Sequence, residues 1–225
     1  MNADLTEIFK IFSTYLTDLD REKATSFCLG LLEEQKVTIP ELYEFILAPS
    51  LNRIVVPRGK EDELIWREHA QTNIVRGIVE SAFPYVIKQK HAFSSAGFPG
   101  SILLACPEEE YHELGIRMGA DFYTIAHFNV TFIGSNLPKS SIVSAAKELK
   151  PDFIGISVTN YLRLAKLRGI IESLRENVDQ KVTIVVSGSA FNHTGSTAQD
   201  FGADQLITSF EDVVALARRS NETRA

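Results

Sequence analysis

Over the first ninety residues, apolar side chains recur three and four positions apart, the spacing that lines one face of a helix. Leu5, Ile8, Phe9, Phe12, Tyr15 and Leu16 form one such series, and Ala24, Phe27, Cys28, Leu31 and Leu32 form a second beyond a polar break at 17–20. Thr38-Ile39-Pro40-Glu41 has the form of a capping box. The Thr38 hydroxyl can accept from the third amide of the next helix, Glu41 can reach back, and Pro40 costs nothing in a first turn. A third helix is expected from there to about Asn52. After the turn-forming stretch 58–62, a fourth is expected from Leu64 to about Gln89, with Pro84 as a kink point. Four helices with short connections predict a four-helix bundle, or cap, over residues 1–92.

Breakers then cluster between His91 and Gly100, and the pattern changes. The stretches 101–106, 130–133, 153–157 and 182–186 are short, almost continuous apolar runs rich in β-branched residues, which read as strands buried on both faces. Between and after them, helical patterns cover 112–128, 140–149, 162–175, 197–201 and 210–219, with a last strand over 204–207. Strand and helix in alternation predict an α/β fold: a doubly wound, Rossmann-like, five-stranded parallel sheet over residues 99–225, with its ligand at the carboxyl ends of the strands.

Composition narrows the classes. With 225 residues and 44% hydrophobic content, the chain can bury a core for each domain. The net charge is −6, and the 23 basic residues are scattered among 29 acids, so direct nucleic-acid binding is not expected. Cys28 and Cys106 lie far apart without a CxxC partner, which gives neither a disulfide framework nor a zinc site. No apolar run reaches the roughly 18 residues of a membrane span, and Met1-Asn2-Ala3-Asp4 lacks a signal-peptide pattern; a soluble, cytoplasmic protein with no membrane partner is expected.

The loop after the first expected strand, 106–115, is not a GxGxxG phosphate loop. It does carry Glu110 and His112 two residues apart, a spacing that lets the carboxylate hold one ring nitrogen while the other faces a metal. Gly115 allows something bulky to approach the start of the following helix. Taken alone, Glu110 and His112 also suit an ordinary surface hydrogen-bond pair, and Ser157 and Thr159 suit side chains that satisfy backbone groups. Glu108 and Glu109 read as solvent-facing, and Trp66 as a packed aromatic of the cap.

Taken together, Glu110-x-His112-x-x-Gly115, Ile133-Gly134-Ser135-Asn136-Leu137-Pro138, Ser157-Val158-Thr159, Ser187-Gly188-Ser189 and Gly202-Ala203-Asp204 resemble, in order and spacing, the cobalamin-binding domain family. Residues 1–90 resemble the helical cap that precedes this domain. The resemblance implies His112 as the lower cobalt ligand and Glu110 as the group that holds it. It implies Ser157 and Thr159 as lining of the slot for the displaced nucleotide tail, with Ser187, Gly188 and Ser189 letting that tail approach the fourth strand. Glu at position 110, where corrinoid carriers usually have Asp, is more similar to cobalamin-dependent photoreceptors and their regulatory relatives. Their cap signature is Trp, nine residues, then Glu-His; here Glu68-His69 matches, Arg58 stands at the Trp position, and Trp66 lies elsewhere in the stretch.

The resemblance therefore implies a cobalamin-binding sensor or regulator without its own DNA-binding domain, holding adenosylcobalamin or methylcobalamin. Light or redox change at the upper ligand would be its signal, passed to a protein partner such as a transcription regulator, or through a homo-oligomer. Two alternatives stand beside it. One is a corrinoid carrier working with a methyltransferase; the other is a haem-binding or cofactor-free sensor on the same scaffold. No catalytic base or nucleophile stands out, so a stand-alone enzyme is not expected.

Overall fold

In the computed structural model of the chain, the described residues are 5–54, 59, 61–94, 97 and 99–224, and two compact units emerge, Met1–Ala92 and Phe93–Ala225. Arg58 lies outside the described residues.

The first unit is helical. α1 (Leu5–Thr17) buries Ile8, Phe12 and Leu16, and α2 (Arg21–Glu33) buries Ala24, Cys28, Leu31 and Leu32, the faces set by the three-and-four spacing. The capping box forms: the Glu41 amide donates to Thr38 Oγ1 at 3.3 Å and the Thr38 amide to Glu41 Oε2 at 2.8 Å. The third helical stretch is not uniform. α3 (Ile39–Glu41) passes into a π-helical segment, Leu42–Leu47, and then into α4 (Ala48–Asn52). Pro49 has no amide for the carbonyl four residues back and its ring crowds that carbonyl. The preceding turn widens instead, with the Ala48 amide donating to Tyr43 O. The expected fourth helix is two: α5 (Glu61–Ser81) and α6 (Phe83–Ala92). The break falls at Ala82, because Pro84 fits a first turn but disrupts a helix interior.

The second unit is a parallel sheet of β1 (Ser101–Ala105), β2 (Asn129–Phe132), β3 (Phe153–Ser157), β4 (Thr183–Ser187) and β5 (Gln205–Leu206), in the order β2-β1-β3-β4-β5. It is joined by α7 (Leu114–Ile125), α8 (Lys139–Leu149), α9 (Leu164–Asn177), α10 (Ala190–Thr194) and α11 (Phe210–Arg224), with 3-10 turns at Tyr161–Arg163 and Gln199–Phe201. α10 is an element that the sequence pattern did not suggest. The inner strands are continuous apolar runs because helices cover both faces; Ile154, Ile156, Ile184 and Val186 pack with Leu167, Ile171 and Leu174 of α9. β2 departs from that expectation. At the sheet edge it alternates, Asn129 and Thr131 exposed, Val130 and Phe132 half-buried, with the Arg117 guanidinium 5.3 Å above the Phe132 ring. The strand order reverses between β1 and β3, and the crevice at such a switch point is where open α/β sheets bind ligands.

Candidate functional site

Both loops at the switch point are tied to one carboxylate. Beyond β1 the chain is stitched to the loop after β2: the Cys106 amide donates to Gly134 O at 3.0 Å and the Leu137 amide to Cys106 O at 3.2 Å. A tight turn then brings the Glu110 amide to Pro107 O at 3.0 Å and directs the Glu110 side chain inward, where it is fully buried. Its Oε1 accepts from the His112 amide at 3.0 Å and faces His112 Nδ1 at 2.6 Å. Its Oε2 accepts the amides of Thr159 and Asn160, both at 2.8 Å, from the loop after β3.

Burial alone would push the Glu110 carboxyl up. The His112 ring and the amides of Asn160, His112 and Thr159 outweigh it and hold the pKa down at about 2. A carboxylate can only accept, so the ring proton sits on Nδ1 and the lone pair of the neutral ring on Nε2. The His112 side chain is 63% exposed beside this wholly buried partner, an imidazole fixed in tautomer and presented outward. Glu113 adds a further tie, accepting from Ser135 Oγ at 2.8 Å and Arg117 Nε at 3.1 Å.

The remaining motif residues gather along the same edge. Ser157 and Ser187 are register partners at the carboxyl ends of β3 and β4, Ser157 buried and Ser187 half-buried. The Val158 amide donates to Ser187 O at 2.9 Å, and Ser189 Oγ donates to Thr159 O at 3.5 Å. Gly188 has φ +107°, and a Cβ there would lie 2.2 Å from Val158 O, so β4 leaves the sheet in close contact with the β3 loop. Gly115, in the first turn of α7, is exposed, with nothing within 4 Å of where a Cβ would stand. The structure thus brings Glu110, His112, Gly115, Ser157, Thr159, Ser187, Gly188 and Ser189 to one edge.

The cap candidates lie in the other unit. Trp66 is 55% exposed on α5 rather than packed. Glu68 Oε1 accepts from Thr72 Oγ1 at 2.9 Å, and Oε2 lies 3.4 Å from Nε2 of the exposed His69. Glu109 is exposed, as expected, and is also paired with Arg163 and Lys166 at 2.7 and 2.5 Å. Sequence reading missed the two backbone amides on Glu110, which carry no residue-type signal, and gave Asn136 a place in a motif but no partner; its Oδ1 accepts the Glu109 amide at 2.8 Å. Asn160, which caps the Leu162 amide at 3.0 Å, was legible in principle as a turn former.

The donor set suits one kind of metal group. Among the described residues no three His, Cys, Asp or Glu side chains converge on a metal position, so His112 offers a single ligand. A macrocycle that brings its metal with the other positions filled needs one ligand only, and Tyr111, Tyr161 and Leu162, large and exposed in these two loops, suit a flat apolar ring. That chemistry fits a corrin and a haem equally.

The sequence decides between them. Residues 100–218 match the family described as the B12 binding domain. The chain belongs to that family. Its cofactor is a cobalamin, which sets the haem alternative aside. A corrinoid protein of Desulfitobacterium hafniense is 27% identical over 131 residues, 58% of this chain and 60% of the relative. Dimethylamine corrinoid protein 1 of Methanosarcina mazei is 31% identical over 120 residues, 53% of this chain and 55% of the relative. In these matches the chain spans a little over half the length of each relative. The monomethylamine corrinoid protein of Methanosarcina barkeri superposes with a TM-score of 0.76 over 95% of this chain and 98% of that one, at 15% identity, a likeness of fold that includes the helical cap. Among the described residues, no helix is long and apolar enough to cross a membrane.

Proposed function

We propose that the chain is a corrinoid carrier of a methyl-transfer system, which would present its bound corrinoid to partner methyltransferases. The observation that carries this reading is the His112–Glu110 pair at the switch point, in a chain whose curated relatives are named as corrinoid proteins. In it, His112 holds cobalt through Nε2 and Glu110 fixes the ring. Ser157, Thr159, Ser187, Gly188 and Ser189 line the slot for the nucleotide tail. When bound, the corrinoid supplies a metal that accepts and releases a methyl group. The chain's own residues bind and orient it and leave the chemistry to the partner.

The sensing alternative, light or redox acting through the upper ligand, rests on Glu110 and on Glu68-His69, and the names of the relatives favour the carrier. Titration with methylcobalamin and hydroxocobalamin, followed by ultraviolet–visible spectra with wild type and His112→Ala, tests the ligand role. Methyl exchange between bound corrinoid and a methylamine-class donor, with a partner methyltransferase present, is the expected result. A light-driven change in the shape or oligomeric state of the loaded protein, without any such exchange, would overturn the carrier reading and restore the sensor.

A further inference from the structure

The β1–α7 loop that carries His112 is held by two consecutive glutamates that do different work. Glu110 grips the β3–α9 connection through buried amide hydrogen bonds, as described above. Glu109 grips the same connection from the surface: its Oε2 accepts from Arg163 Nη1 at 2.7 Å and from Lys166 Nζ at 2.5 Å. Arg163 closes the 3-10 turn Tyr161–Arg163, and Lys166 lies in the first turn of α9.

We infer that Glu109, Arg163 and Lys166 form an ionic clamp that positions the His112 loop, so that the clamp sets part of the strength with which His112 ligates a corrinoid cobalt. The inference rests on the reading of His112 as the cobalt ligand.

Three observations mark the clamp off from an ordinary surface pair. Glu109 has φ +66°, in the left-handed region that L side chains avoid, and such strain persists only where surroundings over-determine it. Here its amide donates to Asn136 Oδ1 while its carboxylate is held by two cations. Next, positive charge at a helix N-terminus opposes the helix dipole, so Arg163 and Lys166 at the start of α9 gain nothing from their own helix. The Glu109 carboxylate supplies the anion that this end favours. Finally, Arg163 Nε is buried without a partner among the described residues, a cost that the charged contact with Glu109 offsets. Glu109 directly precedes the residue that fixes the imidazole, so slack at Glu109 passes straight to His112.

The test uses the full chain and aquocobinamide, a corrin that lacks its own nucleotide base, so that any nitrogen ligand must come from the protein. The readout is the ratio of imidazole-ligated to unligated cobinamide in the visible spectrum, with the apoprotein melting temperature and total corrinoid bound as controls. Glu109→Gln keeps the size of the side chain and removes its charge. It is expected to lower that ratio roughly three- to fivefold at low salt, the scale of an exposed ion pair or two, with the controls little changed. The wild type is expected to approach the variant as salt rises toward about 1 M, where the screening length is about 3 Å, while Glu109→Gln stays flat. The double substitution Arg163→Gln and Lys166→Gln is expected to reproduce the loss from the other side. If Glu109→Gln keeps the wild-type ratio and salt response while His112→Ala loses ligation, the clamp is overturned and the ligand reading stands. If His112→Ala keeps ligation, the ligand reading falls and the clamp falls with it.

Discussion

Gly115→Ala separates what the fold wants from what the ligand wants. Gly115 sits in the first turn of α7, exposed, and a methyl added there meets no protein atom within 4 Å. By the usual difference between glycine and alanine in a helix, the substitution should stabilise the apoprotein by about 0.5 kcal/mol, the low end of the range because the site is in a first turn. The same open space is where a macrocycle held by His112 would approach the backbone. A methyl group pressed against a close-fitting ligand costs about 1–3 kcal/mol, which is roughly tenfold or more in affinity. The two effects have opposite signs. Urea unfolding of the apoprotein should show a slightly higher midpoint with unchanged slope, and spectral titration with hydroxocobalamin should show weaker binding. Equal affinity in variant and wild type would mean that Gly115 serves the helix only, and the expectation that a bulky ligand approaches the start of α7 would be refuted.

Other substitutions probe the scaffold. Gly188→Ala places a methyl 2.2 Å from Val158 O at a φ of +107°, so steric overlap and backbone strain together should cost about 3 kcal/mol or more in urea unfolding. Cys106 is fully buried and its thiol is pushed up to about 12, by burial first and then by Glu110 and Glu113. Mass spectrometry should therefore find it unmodified by iodoacetamide at neutral pH until the protein is unfolded. At the start of α11, Asp212 Oδ2 accepts the Thr208 amide and hydroxyl, both at 2.8 Å, and the Ser209 amide at 3.1 Å. Burial raises its carboxyl, but the Thr208 and Ser209 hydrogen bonds outweigh that and leave the pKa lowered. A depressed carboxylate adds stability that is present above its unfolded pKa and lost as pH falls through the folded one. Asp212→Asn should thus cost about 1 kcal/mol at neutral pH, and the difference from wild type should shrink in acid unfolding experiments below the ordinary carboxylate range.

What the chain displays in its own order was legible, and what depends on close approach in space was not. The inner strands could be read because burial on both faces requires a continuous apolar run, as at Phe153–Ser157. β2 could not be distinguished from them, since its edge position is set by strand order and not by composition. The capping box at Thr38 and Glu41 was readable because both partners are side chains of suitable type at fixed spacing. The equivalent box before α11, Ser209 with Asp212, passed unread. At the site, Glu110 and His112 were evident as a pair, whereas the Thr159 and Asn160 amides lie about fifty positions away and any residue type but proline could supply them. The likeness to photoreceptors rests on Glu at 110 together with Glu68-His69, and at 110 the difference from Asp is one methylene, which bears on reach across the crevice.

That difference in reach can be tested directly. Glu110 spans two loops: one oxygen serves the His112 amide and ring, the other the Thr159 and Asn160 amides. Aspartate is shorter by one carbon–carbon bond, about 1.5 Å. With both loops held in place, Glu110→Asp cannot keep all four contacts and must give up one side. If it keeps His112, two buried amides lose a charged acceptor, at roughly 1.5–3 kcal/mol each. Apoprotein stability in urea should then fall by about 3 kcal/mol or more while cobinamide still shows an imidazole ligand. If it keeps the β3 loop, stability should hold better and the imidazole ligand should weaken. A variant that matches wild type in both measurements would mean that the loops close over the shorter side chain at no cost. Glu and Asp would then be interchangeable here, and position 110 would say nothing about which branch of the family a chain belongs to.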